Sequence, residues 1–151
     1  MKIKLAKTEL IHFVGIGGIG MSGLALIMKG LGFKIQGSDI SNNRNIERLR
    51  KEKIKVFIGH KKQNIEKGTI LVVSSAIKKN NPELAAAKKK QLPIYRRGEM
   101  LANIVSLTKN IVVVGSHGKT TTTSLIASIF QETKIDPTII NGGVINSINN
   151  S

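Results

Sequence analysis

Short apolar runs alternate along the chain with segments whose apolar residues recur every three or four positions, and this alternation predicts strands interleaved with helices. Leu10 to Val14 reads as a first strand, and Met21, Leu24, Ala25, Met28 and Leu31 as the buried stripe of the helix after it. Phe33 to Gly37, Lys55 to Ile58, Thr69 to Val73 and Leu92 to Tyr95 read as further strands. The run from Thr69 to Val73 is continuously apolar, as a parallel strand buried on both faces requires. Ile46 and Leu49 mark a short basic helix, and Leu101, Ile104 and Val105 give another helix its apolar face. Asn81-Pro82-Glu83 is a helix start with a cap, a first-turn proline and an early acid, and Lys88 to Lys90 suit that helix's C-terminus.

Thr108 to Asn110 is a polar break, and a second pattern begins beyond it. Ile111 to Val114 reads as a buried strand, Leu125, Ile126 and Ile129 as the apolar face of a helix, and Pro137 to Ile140 as another strand leading into Asn141-Gly142-Gly143 and a polar Asn/Ser tail. The expected fold is α/β: a Rossmann-like parallel sheet with helices on both faces over residues 1–108, then over 109–151 the opening strand, phosphate loop, helix and strand of a second α/β domain.

Composition changes this picture little. With 40% hydrophobic residues in 151 the chain can bury a core. It has no cysteine for a disulfide framework, no apolar run of membrane-spanning length, and an N-terminus without the apolar core of a signal peptide, so a cytoplasmic protein is expected. The formal charge is +15, and all the excess lies before residue 111 because Lys119 and Lys134 balance Glu132 and Asp136. The lysines are scattered and only 3% of residues are aromatic, which favours a solvated surface over a nucleic-acid patch.

Two stretches carry chemistry. Gly15-Ile16-Gly17-Gly18-Ile19-Gly20 satisfies G-x-G-x-x-G between a strand and a helix, the context in which such a turn places backbone N–H groups and a helix N-terminus on a diphosphate. Asp39 follows about 20 residues later, where it either holds a ribose hydroxyl or caps the next helix. A lone histidine after a strand is more often a surface or capping residue than a functional one, and both readings stand for His60. Gly15, Asp39, His60, Ser75 and Arg97 all sit at or just past carboxyl ends of expected strands, so one crevice would collect them as substrate-binding residues with Gly17, Gly18, Ile19 and Gly20.

The second stretch, Gly115-Ser116-His117-Gly118-Lys119-Thr120-Thr121, reads as a shortened phosphate loop, because Val113 occupies the place of the usual first glycine. Glycines let N–H groups close on phosphate oxygens, Lys119 neutralises the β- and γ-phosphates, and the Thr120 hydroxyl holds Mg²⁺. His117 is either a nucleotide or substrate contact or a loop-shape residue.

Taken together, GIGGIGMSG at 15–23, GSD at 37–39, SSAI at 74–77, RRGEMLA at 96–102, GSHGKTTTT at 115–123 and NGG at 141–143 resemble the Mur ligases of peptidoglycan synthesis. Ser116 stands where that family commonly has threonine. The resemblance implies a UDP-binding first domain and the opening of an ATPase domain, with the family's later acidic Mg²⁺ ligands and last domain lying beyond these residues. It also implies the reaction: the γ-phosphoryl of ATP goes to the lactyl carboxylate of UDP-N-acetylmuramate, and the amine of L-alanine displaces phosphate to form an amide. Lys119 and Thr120 would act catalytically there, with no membrane as partner. Two alternatives remain: an NAD-binding module, which leaves the second loop unexplained, and a non-enzymatic nucleotide- or nucleic-acid-binding protein, which the basic charge permits.

Overall fold

The computed structural model describes residues 5–65, 70–133, 135, 137–141 and 144–147. The chain divides into two compact units, 1–108 and 109–151. In the first unit, β1 (Leu10–Val14), β2 (Lys34–Asp39), β3 (Lys55–Ile58), β4 (Ile70–Val73) and β5 (Ile94–Arg96) form a parallel sheet in the order β3-β2-β1-β4-β5. The order reverses at β1, so a crevice opens at the carboxyl edge where β1 lies between β2 and β4.

Alternation along the strands sorts the core onto two faces. Ile11 and Phe13 of β1 and Ile70 and Val72 of β4 join Met21, Leu24 and Met28 of α1 (Ile19–Gly30), Leu49 of α2 (Arg44–Lys51) and Met100 and Ile104 of α4 (Arg97–Val105). Val14, Leu71 and Val73 point the other way, onto Ala87 of α3 (Pro82–Lys89) and Ile65 of a 3₁₀ turn at Lys62–Ile65. His12 shares that second face and is fully buried. The expected sheet is present, with β2 running on to include Asp39 and β5 starting two residues later than expected and ending at Arg96, where α4 begins at once. Thr69, expected to open β4, lies outside the described residues.

In the second unit, α5 (Lys119–Gln131) follows the glycine loop, and β6 (Thr138–Asn141) pairs antiparallel with β7 (Val144–Ser147). Two expectations are corrected here. Ile111 to Val114 forms no ladder among the described residues and is no strand, with Ile111 63%, Val112 67% and Val114 83% exposed, because a strand exists only through a hydrogen-bonded neighbour. The expected Asn/Ser tail contains β7, whose two-residue link to β6, Gly142-Gly143, has hairpin composition but lies outside the described residues. Ala127 is the only buried residue described in this unit. No described helix is long and apolar enough to cross a membrane.

Candidate nucleotide-binding site

The turn from β1 into α1 is held from three sides. Ser38 of β2 accepts the N–H groups of Gly15 and Ile16 on its carbonyl at 2.8 and 3.0 Å, and Gly15 takes the positive φ of 82° that the turn requires. Asp39 Oδ2 accepts Gly17 N–H at 2.8 Å, while Asn43 and Asn45 both donate to the Gly17 carbonyl, at 3.3 and 2.8 Å. Gly17 has no room for a side chain, since a Cβ there would stand 2.8 Å from Asn43 Nδ2 and 2.9 Å from Asp39 Oδ2. Asn43 also caps α2 by accepting Ile46 N–H on its Oδ1, so Asp39 is not that helix's cap. Its second oxygen instead accepts Ser41 N–H at 3.3 Å.

With the loop fixed, α1 begins at Ile19 without a side-chain cap and without an acid in its first turn. The Ile19 and Gly20 N–H groups carry no hydrogen bond to a described residue, and the helix dipole adds positive potential there. Arg97, the first residue of α4, lays its guanidinium against Gly20, bringing a full positive charge to the same point. This arrangement suits a diphosphate. Ser74 packs against Gly15 at the opposite wall and gives its N–H to the Val14 carbonyl at 3.1 Å. Ser75 is exposed on the turn beside it.

His60 reaches this region through Ser38. Its Nδ1 lies 2.9 Å from Ser38 Oγ and 3.2 Å from Oε2 of Glu83, a carboxylate with no exposed surface near the start of α3. Ser38 Oγ donates to Glu83 Oε2 at 2.6 Å, and Asn64 Nδ2 donates to Oε1 at 2.6 Å. Burial pushes the Glu83 carboxyl up, but the polar groups of His12, Ser38 and Asn64 together hold it below its ordinary range. His12 Nε2 faces Oε2 from 3.6 Å, longer than a hydrogen bond, and acts as an oriented dipole. Its state follows from its neighbour: Gln36 Nε2 donates to the Asn64 carbonyl at 2.9 Å, which fixes the amide's orientation, so the same nitrogen's other proton goes to His12 Nδ1 at 3.1 Å and the imidazole carries its proton on Nε2.

The structure thus gathers Gly15 to Gly20, Asp39 and Arg97 directly and joins His60 to them through Ser38. Asn43, Asn45 and Glu83 were not legible as site residues. Asn43 and Asn45 carry only a helix-start signal, and Glu83 stands where a first-turn acid is ordinary.

The second loop lies in the other unit and is exposed. Gly118 has φ 74° and opens α5, whose first residues are Lys119, Thr120 and Thr121. Lys119 Nζ donates to the carbonyls of Gly115 at 2.6 Å and Ser116 at 3.0 Å, so the ammonium is held within the loop. Asn141 Nδ2 reaches the Thr120 carbonyl at 3.4 Å.

Residues 10–109 match the Mur ligase family, catalytic domain. The chain belongs to the Mur ligase family. A UDP-N-acetylmuramate–L-alanine ligase of Pelagibacter ubique is 78% identical over 151 residues, all of this chain and 32% of that protein. One from Brucella ovis is 54% identical over 138 residues, 91% of this chain and 29% of its own length. Among solved Mur ligases, UDP-N-acetylmuramate-alanine ligase MurC of Thermotoga maritima superposes with a TM-score of 0.78 at 34% identity, over 87% of this chain and 31% of that one. The UDP-N-acetylmuramate:L-alanyl-gamma-D-glutamyl-meso-diaminopimelate ligase of Neisseria meningitides gives 0.80 at 28% identity, over 92% and 46%. The chain therefore spans about a third of the sequence relatives it matches.

Proposed function

We propose that residues 1–108 are the UDP-sugar-binding domain, and 109–151 the beginning of the ATPase domain, of a cytoplasmic ligase that joins L-alanine to UDP-N-acetylmuramate. The observation that carries this reading is the pair of glycine loops, each opening a helix in its own compact unit, in a chain 78% identical throughout to a ligase of that name. Two loops suit an enzyme that holds two different phosphorylated ligands.

In the first unit the Ile19 and Gly20 N–H groups and Arg97 take the diphosphate, with Gly15, Gly17 and Gly18 keeping the backbone close. Asp39 has both oxygens engaged by backbone N–H groups, so it shapes the loop while its remaining lone pairs face the nucleoside. His60 and Ser75 complete the carboxyl edge toward the sugar. In the second unit Gly115, Ser116, His117, Gly118 and Thr121 form the ATP loop, and Lys119 moves from its carbonyls to the β- and γ-phosphates.

Phosphoryl transfer needs positioning and charge neutralisation more than a protein nucleophile, and Lys119 with the loop N–H groups supplies both. Mg²⁺, when bound, would neutralise the charge developing on the phosphates. The Thr120 hydroxyl at the helix start fits one position of its oxygen shell, and the described residues assemble no cluster of three acidic or histidine ligands to fill the rest. The ATP-activated lactyl carboxylate is then open to attack by the alanine amine.

Calorimetric titration of the chain with UDP-N-acetylmuramate and with NAD tests the first half. Tighter binding of NAD would overturn the assignment, as would an undiminished affinity for the UDP-sugar in Arg97→Ala.

A further inference from the structure

The Glu83 carboxylate has a consequence for the site at the carboxyl edge. Two polar groups meet at its Oε2, Ser38 Oγ at 2.6 Å and His60 Nδ1 at 3.2 Å, and they stand 2.9 Å from each other. An ionised carboxylate only accepts, so the serine proton lies on the short bond to Oε2. The Nδ1 atom then faces one carboxylate oxygen and one hydroxyl oxygen whose proton is already committed. A bare lone pair on Nδ1 would oppose lone pairs on both, whereas an N–H at Nδ1 satisfies both. In its neutral form His60 therefore carries its proton on Nδ1. Its other nitrogen, Nε2, has no partner among the described residues and is not buried, on a side chain 10% exposed. It is left as an acceptor at the end of β3, on the sheet edge that carries Asp39 and the glycine loop.

We propose that Glu83 is a positioning residue: it holds His60 in the Nδ1–H tautomer, so the crevice offers a hydrogen-bond acceptor at Nε2 to a donor group of the nucleotide-sugar, an imide N–H, a hydroxyl or an amide N–H. The ligand half of this statement rests on the UDP-sugar reading above; the tautomer half does not.

The network also fixes what Glu83→Gln does. Asn64 Nδ2 donates to Oε1, so the glutamine must keep its oxygen there and turn its NH₂ toward Ser38 and His60. An N–H then faces Nδ1, which becomes the acceptor, and the imidazole proton moves to Nε2. The outward atom changes from acceptor to donor with hardly any change in shape.

Imidazole ¹⁵N shifts and two-bond ¹⁵N–¹H couplings of the 151-residue chain, with His60 assigned through His60→Asn, read the tautomer directly. The wild type is expected to show the neutral Nδ1–H form and Glu83→Gln the Nε2–H form, with the amide spectrum otherwise native. An Nε2–H tautomer in the wild type overturns the proposal without any variant, and an unchanged tautomer in Glu83→Gln overturns the role of Glu83. Affinity for UDP-N-acetylmuramate should fall about tenfold in Glu83→Gln, the cost of one reversed hydrogen bond. It should fall by a similar factor in His60→Phe, with no further loss when the two are combined. Additive losses would overturn the coupling of Glu83 to His60. Failure of the wild type to bind the UDP-sugar would overturn the acceptor's assignment to that ligand, while the tautomer result would stand by itself.

Discussion

Arg97 and Gly20 are in contact because position 20 has no side chain: a Cβ there would stand 2.6 Å from Arg97 Nη1 and 3.2 Å from Cζ. The atoms in the way are the far end of a flexible side chain, so the guanidinium would swing aside at little cost. Alanine is also the better helix former by about 1 kcal/mol. Gly20→Ala should therefore leave the unfolding midpoint unchanged or slightly raised while weakening UDP-N-acetylmuramate binding about tenfold, the loss of one charge-assisted contact. Arg97→Ala should lose as much, and the double variant no more. Urea unfolding and calorimetry on the three variants check this, and a Gly20→Ala chain that unfolds early would show that the glycine serves packing instead.

Helices α2 and α3 end with Lys53 at φ 58° and Gln91 at φ 53°, left-handed positions where the N–H of the next residue bonds back to Leu49 and Ala87. The corresponding residue after α1 is Gly32, at φ 89°. A side chain in that conformation costs about 1 kcal/mol relative to glycine. Lys53→Gly and Gln91→Gly should each raise stability by somewhat less than that, because glycine also loosens the unfolded chain. Denaturant midpoints for the two variants, with the slope unchanged, are the measurement.

Glu83 ties stability to pH. Its carboxyl lies below its ordinary value of 4.5 in the folded chain, so its contribution is complete above that pH and is lost as pH falls through the folded value. The wild type should lose stability more steeply than Glu83→Gln below pH 4.5, and the gap between them should narrow with acidification. Unfolding free energies measured across a pH series would show parallel curves if Glu83 were not the group responsible.

Amide exchange should divide at residue 109. In the second unit Ile111, Val112, Val114, Leu125 and Ile129 are more than half exposed and only Ala127 is buried among the described residues, whereas β1 and α1 are largely buried. Opening free energies follow buried apolar contact, so α5 should exchange orders of magnitude faster than α1. Equal protection in the two helices would mean that α5 is held by contacts other than apolar burial.

Local spacing along the chain is enough to dictate the periodic part of this protein. Runs such as Leu10 to Val14 and the stripe Met21, Leu24, Ala25, Met28 fix strand and helix through local spacing, and G-x-G-x-x-G between them marks a phosphate-type turn whose first glycine, Gly15, takes the positive φ that favours glycine. The motif set from Gly15 to Gly143 sufficed for the family, since each motif is a short contiguous string. What depends on partners distant in the chain was decided by the tertiary structure. Ile111 to Val114 has the composition of a strand and forms no ladder among the described residues, because a ladder needs a neighbour that composition cannot supply. Val144 to Ser147 has the composition of a tail and becomes a strand because β6 lies beside it. Asp39 could be placed at a strand end from spacing alone, but its hold on Gly17, 22 residues away, is a product of β1 and β2 lying side by side. Glu83 is the clearest case: locally it is an ordinary helix-start acid, and only the packing of α3 beneath β1 and β2 takes it out of water, where a carboxylate must find donors, and so binds it to Ser38, Asn64 and His60.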